Sequence, residues 1–386
     1  MPDRILMIYL EPAPYIVAFV REVRSQWPGQ IDVIYTTMSG SQPWDVSLED
    51  EGAILLSNSG SSSFASIIEY IKHGNYKVIH LAGWGGRVFQ AALVYGFLKR
   101  IPLVLESDTR SFPENVRNVI SGYKERQSPY SSLSRRIIKS IVYPILFTIP
   151  AFFLPAGSKQ KEYLRKFLVS DNKIRIGKMS VDVNKISEFC ERYRGNIISQ
   201  HEPDIERQRR VVFLYVGRLE PYKGIAELIS AFSALAAERS DVDLLMAGDG
   251  SMRRYVEDAA ARCPSIKYSG RLDGDRLREC YAKADVLVLP SHLENWGLVV
   301  NEAMAASLPV IVSDAVGCAE DLVRHDITGL IVKPGSKESL IAAMRKLAND
   351  PEGRKRMGLR ARLLISEWTL TEQAQVAIAV WQEALS

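Results

Sequence analysis

The sequence predicts an α/β protein built as two Rossmann-like, doubly wound domains, each a parallel sheet covered by helices on both faces. Three observations carry that prediction. The chain has 386 residues, more than one hydrophobic core usually serves, so two domains are the default. Short apolar, β-branched runs alternate with helix-length stretches from end to end, which is the pattern of repeated βαβ units. Some runs, such as Val286–Leu289, are apolar at every residue, which suits strands buried on both faces of a parallel sheet.

In the first half the expected strands are Arg4–Leu10, Ile31–Thr36, Ala53–Ser57, Lys77–Ala82, Pro102–Ser107 and Ala151–Ala156, within a domain spanning residues 1–183. In the second half they are Val211–Arg218, Val242–Ala247, Ile266–Ser269, Val286–Pro290, Pro309–Ser313 and Gly329–Val332, within a domain spanning 211–370. The stretch 184–210 between them is polar and helix-prone, has little apolar content to bury, and reads as a linker or surface insertion. A last helix, Thr371–Ala384 within 371–386, follows two helices that already complete the second domain. It packs on its own domain or crosses back to the first.

Composition bounds the function. With 47% hydrophobic and 24% charged residues and no low-complexity tract, the chain is an ordinary globular one. The run Ile5–Leu10 is shorter than a secretory h-region, and Glu11 and Pro12 end it. No apolar stretch reaches the ~20 residues that a spanning helix needs. Cys190, Cys263, Cys280 and Cys318 form no C-x-x-C pair, the pattern of reduced cytosolic thiols rather than of disulfides or zinc. A cytoplasmic location is the expectation. Formal net charge is +4, but Val116–Lys166 holds ten Lys/Arg against two Glu, so the remainder sums to −4. That segment is either an anion-facing surface or a solvated helix face.

The most informative stretch is Ser291-His-Leu-Glu-Asn-Trp-Gly-Leu-Val-Val-Asn-Glu302. It follows an apolar strand and leads into a helix at Leu298. Doubly wound sheets bind ligands outside the carboxyl ends of their strands. A helix N-terminus there offers free N–H groups and partial positive charge, which suit a diphosphate. Glu294 and Glu302 beside it are placed to accept hydrogen bonds from sugar and ribose hydroxyls; the plain alternative is a loop charge and an exposed helix residue. The second element is Val216-Gly-Arg-Leu-Glu-Pro-Tyr-Lys-Gly224. Gly217 permits close backbone approach, and Arg218 and Lys223 put two cations in one strand-to-helix loop, matching a bound diphosphate and its departure as a leaving group.

These residues carry a resemblance. Val211 to about Ile365 resembles the catalytic half of retaining, GT-B-fold glycosyltransferases of the "glycosyl transferases group 1" superfamily. The likeness rests on G-R-L-x-x-x-K-G (Gly217 to Gly224), A-G-D-G (Ala247 to Gly250), E-x(7)-E (Glu294 to Glu302), N-E-A-M-A and Leu-Pro-Val-Ile-Val-Ser-Asp. It implies that Arg218 and Lys223 hold the donor pyrophosphate, that Glu294 contacts the donor sugar, and that Glu302 binds the nucleotide ribose. Gly217, Arg271, Trp296, Gly297, Leu298 and Val299 complete the expected donor site. It also implies that the last helix returns to the N-terminal domain, which would hold the acceptor.

The first half resembles the family more weakly. Members often have a Gly-Gly pair after the first strand, where this chain has Glu11-Pro-Ala-Pro-Tyr15. They commonly place a His where this chain has Asp108. Asp108 either takes over that role near the transferred sugar or marks a different way of holding the acceptor. Pro14, Tyr15, His80 and Asp108 are the acceptor-side candidates, with a core or capping role the alternative for His80.

Other signals are discounted. Asp241-Val-Asp243 and Asp273-Gly-Asp275 match D-x-D by chance, and Gly248-Asp-Gly250 lacks the third glycine of a dinucleotide fingerprint. No His cluster points to a metal, so transfer without metal or other cofactor is expected, as is the absence of any nucleic-acid partner. Residues 134–154 combine Arg135, Arg136 and Lys139 with an uncharged run of fourteen residues, Ile141–Leu154, too short to span a bilayer. They lie either in an anionic membrane interface or in a buried helix. The reading is a transferase moving a sugar from a nucleotide diphosphate to a saccharide or lipid-linked saccharide of envelope polysaccharide assembly. Its rivals are a non-catalytic sugar-nucleotide-binding protein, a sugar-nucleotide epimerase of the same fold, and a Rossmann oxidoreductase, the last disfavoured by the absence of G-x-G-x-x-G after the first strand.

Overall fold

The structure, a computed structural model, describes residues 3–38, 52–56, 62–111, 138–200 and 210–386. They divide into two compact units. The first holds the described residues up to Ser111, those from 138 to Val181, and Leu370–Ser386; the second holds those from Asp182 to Thr369.

In the first unit, β1 (Arg4–Tyr9), β2 (Gln30–Tyr35), β3 (Ala53–Leu55), β4 (Val78–Ala82), β5 (Leu103–Ser107) and β6 (Phe152–Pro155) form one parallel sheet ordered β3-β2-β1-β4-β5-β6. Its helices are α1 (Pro14–Gln26), α2 (Ser62–Gly74), α3 (Arg87–Leu98), α4 (Tyr143–Leu146, after a π turn at Ile138–Val142) and α5 (Ser158–Arg165). Successive side chains of a strand point to opposite faces, and β1 shows both faces used. Leu6 and Ile8 join one core with Ile79, Leu105 and Phe153. Ile5, Met7 and Tyr9 join the other with Val33, Val104 and α1.

The second unit repeats the plan with β7 (Val211–Val216), β8 (Val242–Ala247), β9 (Ile266–Tyr268), β10 (Val286–Leu289), β11 (Val310–Ser313) and β12 (Gly329–Val332), ordered β12-β11-β10-β7-β8-β9. Its helices are α6 (Val183–Gln200), α7 (Ile225–Glu238), α8 (Arg253–Arg262), α9 (Gly274–Lys283), α10 (Leu298–Ala305), α11 (Ala319–Leu322), α12 (Lys337–Asn349) and α13 (Pro351–Ile365). The chain ends with α14 (Leu370–Leu385), whose Ala374, Ala377, Val380 and Trp381 close the α1 side of the first unit's sheet. All twelve expected strands are present, with ends within two residues of those read from the apolar runs.

One expectation is corrected. Residues 184–200 are not a linker but most of α6, which belongs to the second unit. Asp182 accepts the Lys185 N–H at 3.0 Å, as an N-terminal cap does. Val183, Ile186, Ser187 and Cys190 are buried at the i, i+3, i+4, i+7 spacing of a helix face. Arg194 donates to the carbonyls of Tyr281, Ala282 and Ala306. The stripe is too thin, and too dependent on an arginine bonding backbone, to stand out as apolar periodicity. Residues 201–209 lie outside the described part.

The residue that fastens α14 is Trp381, fully buried and packed edge-on against Trp27 at 5.7 Å between ring centroids. Trp381→Ala is expected to cost about 3–5 kcal/mol, read as a lowered midpoint in urea unfolding at pH 7.

Candidate functional site

The order of the second sheet decides where a site can form. The chain lays β7 first, moves outward through β8 and β9, and returns to place β10 on the other side of β7. The loops leaving the carboxyl ends of β7 and β10 therefore diverge and leave a crevice. The first is the loop of Arg218 and Lys223, and the second is the loop of Glu294.

Contacts at this point require particular residues. Gly224, the N-cap of α7, is left-handed with φ +72°, and a Cβ there would lie 2.5 Å from the carbonyl oxygen of Pro290. A side chain would hold the two loops apart. As they stand, the His292 and Leu293 N–H groups both donate to the Tyr222 carbonyl, at 2.9 and 3.3 Å. Lys223, in the short turn Pro221–Lys223, is 8% exposed, and its Nζ is ion-paired with Glu294. Arg218 is exposed and, like Lys223, lies beside the Tyr222 ring.

The loop after β8 supports this arrangement from the other side. A Cβ on Gly248 would sit 1.8 Å from the Gly217 carbonyl oxygen. Leu219 N–H donates to Asp249 O at 2.8 Å, and Met252 N–H to Leu219 O at 2.9 Å. Buried Glu220 accepts from the Ser251 hydroxyl and N–H. The A-G-D-G glycines, discounted as a dinucleotide fragment, thus allow two loops to pack and hold Gly217 and Arg218 in place.

On the β10 side, Gly297 (φ +101°) starts α10, so the N–H groups of Leu298 and Val299 fall in the helix's open first turn. Glu302 lies one turn further along, half-buried, and accepts a hydrogen bond from the Tyr281 hydroxyl of α9. Burial pushes its carboxyl up to about 7, against the opposing pull of that hydrogen bond and of Arg278. Tyr281 is a site residue that sequence reading missed, since a tyrosine in an ordinary helix face gives no signal. Trp296 departs from expectation. Its indole is 2% exposed, stacked on Trp368 and bonded to Asn301, so it anchors the loop from beneath and offers no surface to a ligand. Arg271 is exposed in the loop after edge strand β9, further along the same sheet edge.

The first unit has its own reversal, between β1 and β4. Pro14 is the exposed first residue of α1. Beside it the Tyr15 hydroxyl is pushed well above its usual range by burial, then by Asp108, Glu106 and Glu11, so these four groups share one neighbourhood. His80 on β4 is fully buried. Its Nε2 lies 3.1 Å from Glu106 Oε2, which also accepts from the Tyr9 hydroxyl at 3.1 Å. Its Nδ1 accepts from the Trp381 indole at 3.1 Å. Glu106 was passed over in sequence, although a carboxylate two residues before Asp108 at the end of an apolar strand was a signal available to find it.

The D-x-D aspartates face other duties. Three of the four are in ion pairs: Asp241 with Arg239, Asp243 with Arg210, and Asp275 with Arg278. Among the described residues no group of three or more His, Cys, Asp or Glu is placed to hold a metal ion.

Residues 197–364, just under half of the chain, match the glycosyl transferases group 1 family. The chain is 37% identical over 142 residues to an uncharacterized glycosyltransferase of Methanocaldococcus jannaschii, a match covering 36% of each protein. It is 26% identical over 411 residues to the sulfoquinovosyl transferase SQD2 of Arabidopsis thaliana, covering 98% of this chain and 74% of that protein. The crystal structure of Anabaena HepE in complex with UDP and glucose superimposes with a TM-score of 0.74 at 17% identity, covering 99% of this chain and all of that one. Two six-stranded Rossmann-like sheets and this likeness define a GT-B fold.

The raised pKa of Glu302 has a consequence for stability. Its folded pKa lies above its unfolded one, so the folded state holds the proton more tightly and stability falls as pH rises from about 4.5 through about 7. Glu302→Gln is therefore expected to raise the thermal midpoint at pH 8, with the gain shrinking toward zero by pH 4.5. A gain that does not depend on pH would contradict the assignment.

Proposed function

We propose that the protein transfers a sugar from a nucleotide diphosphate donor, held at the β7–β10 crevice, to an acceptor held by the first unit. The observation that carries the reading is the convergence of Arg218, Lys223, Glu294, the α10 N-terminus and Glu302 on the carboxyl edge of one sheet. Arg218 and Lys223 supply positive charge for a diphosphate, and the departing β-phosphate oxygen needs that charge most as it takes the electrons of the broken glycosidic bond. Glu294, already held by Lys223, is placed to accept from sugar hydroxyls, and Glu302 from the ribose diol. In this scheme residues 1–183 with 371–386 are the acceptor part, 211–370 the donor part, and Pro14, Tyr15, His80 and Asp108 line the acceptor side. The resemblance to the glycosyl transferases group 1 family supports retention of anomeric configuration, and transfer needs no metal in this scheme. The acceptor is a saccharide or lipid-linked saccharide of envelope polysaccharide assembly, and the protein works on the cytoplasmic side.

One observation favours a membrane surface as the working place. The π turn and α4 leave Ile141, Val142 and Ile145 exposed, beside Leu168 at 85% exposure, while Phe147 enters the core. The notion of a wholly buried helix at 134–154 therefore does not hold for its described part. Arg135 and Arg136, two of the three cations of that segment, lie outside the described residues. No helix among the described residues is long and apolar enough to cross a membrane. Ile145→Asp combined with Leu168→Asp is expected to abolish co-sedimentation with phosphatidylglycerol vesicles and leave nucleotide binding unchanged.

Calorimetry with UDP, GDP, ADP and CMP, without added metal, tests the donor site. One diphosphate is expected to bind with micromolar affinity, and Glu302→Ala to weaken it about 30-fold, the worth of a charged hydrogen-bonding partner. Because the ionised carboxylate is the accepting form, affinity in the wild type should fall as pH drops below about 7, levelling off at a loss of about the same 30-fold. No binding by any nucleotide would sink the reading. A glycosylated product would exclude the binding-protein and epimerase rivals.

A further inference from the structure

The edge of the first unit holds a network that the donor site does not explain. An indole N–H can only donate, so the Trp381 bond requires an unprotonated Nδ1 on His80. The ring proton then sits on Nε2 and is donated to Glu106 Oε2. Protonating Nδ1 would set two donors against each other inside a fully buried pocket. His80 is thus a fixed neutral tautomer. Tyr9, whose hydroxyl is held protonated by burial and then by the charge of Glu106, gives the same Glu106 oxygen its second donor. Both recorded bonds fall on Oε2. Oε1 has no recorded partner among the described residues, and the side chain is 22% exposed at the carboxyl end of β5.

Two donors on one oxygen fix a carboxylate in direction; they come from β1 and β4, and α14 holds the second through the Trp381 bond to His80. Resting on the transferase reading, we propose that Glu106 Oε1 accepts the hydrogen bond of the acceptor hydroxyl and orients its oxygen for transfer, with His80 and Trp381 as positioning residues. Glu106 touches the acceptor; His80 and Trp381 act only through it.

The test uses the full-length protein, the diphosphate that calorimetry selects, and the matching donor (UDP-glucose, GDP-mannose or ADP-glucose), with water standing in as acceptor. In Glu106→Gln the amide oxygen can keep both bonds from Tyr9 and His80, while an NH₂ replaces Oε1 and cannot accept. Donor hydrolysis is expected to drop about tenfold or more, with the nucleotide diphosphate Kd unchanged within about twofold. ¹⁵N-histidine spectra should show His80 as the neutral Nε2–H tautomer in wild type and in Glu106→Gln. Trp381→Phe should give mixed tautomers with an intermediate loss of turnover, and His80→Gln provides a second variant should that one unfold. Unchanged hydrolysis in Glu106→Gln, no hydrolysis by a wild type that binds the diphosphate, or a protonated His80 at pH 7 would overturn the inference. Failure of wild type to bind any diphosphate is a different result, and counts against the donor site itself.

Discussion

The constraint from which the rest follows is the reversal of strand order in a parallel sheet. A parallel strand cannot be reached by a tight turn, so each connection crosses over through a helix and every carboxyl end faces the same edge. Where the winding changes direction, two adjacent strands send their chains apart. In the second unit that happens between β7 and β10, and the residues with the strongest chemical character leave from those two ends. In the first unit it happens between β1 and β4, and the Glu11, Tyr15 and Glu106 neighbourhood gathers at that edge.

Electrostatics then sets how the crevice is held. Lys223 and Glu294 are mostly buried, at 10% and 17% side-chain exposure. Removing either partner from such a pair is costly because the survivor is left uncompensated. Each therefore holds the other in place at the crevice, where a phosphate is complementary to the lysine and a hydroxyl group to the carboxylate. Glu302 is handled differently. It has Tyr281 as donor and Arg278 at longer range, which only partly offset its burial. The glycines at 224 and 248 matter because the loops bearing these charges touch backbone to backbone.

Much of this was legible in the sequence, for identifiable reasons. Strands buried on both faces advertise themselves as continuous apolar runs, so all twelve were placed. Glu294 and Glu302 stood out because they flank a strand-to-helix loop. What failed was whatever depends on partners distant in sequence. Strand order cannot be read from one strand, and the crevice follows from strand order. Helix α6 hid because four buried positions and the Arg194 bonds to the carbonyls of Tyr281, Ala282 and Ala306 do the work of a full apolar face. Trp296 sits within the motif yet points its indole at Trp368, seventy-two residues later. Glu106 gains meaning only through Trp381, 275 residues away in sequence and adjacent through His80.

The most direct measurement is a crystal structure of the protein with a nucleoside diphosphate. The account predicts diphosphate oxygens within hydrogen-bond distance of Arg218 and Lys223, with the ribose hydroxyls on Glu302. A nucleotide seated elsewhere, for instance on the glycine-rich turn Gly83–Gly86 of the first unit, would contradict it.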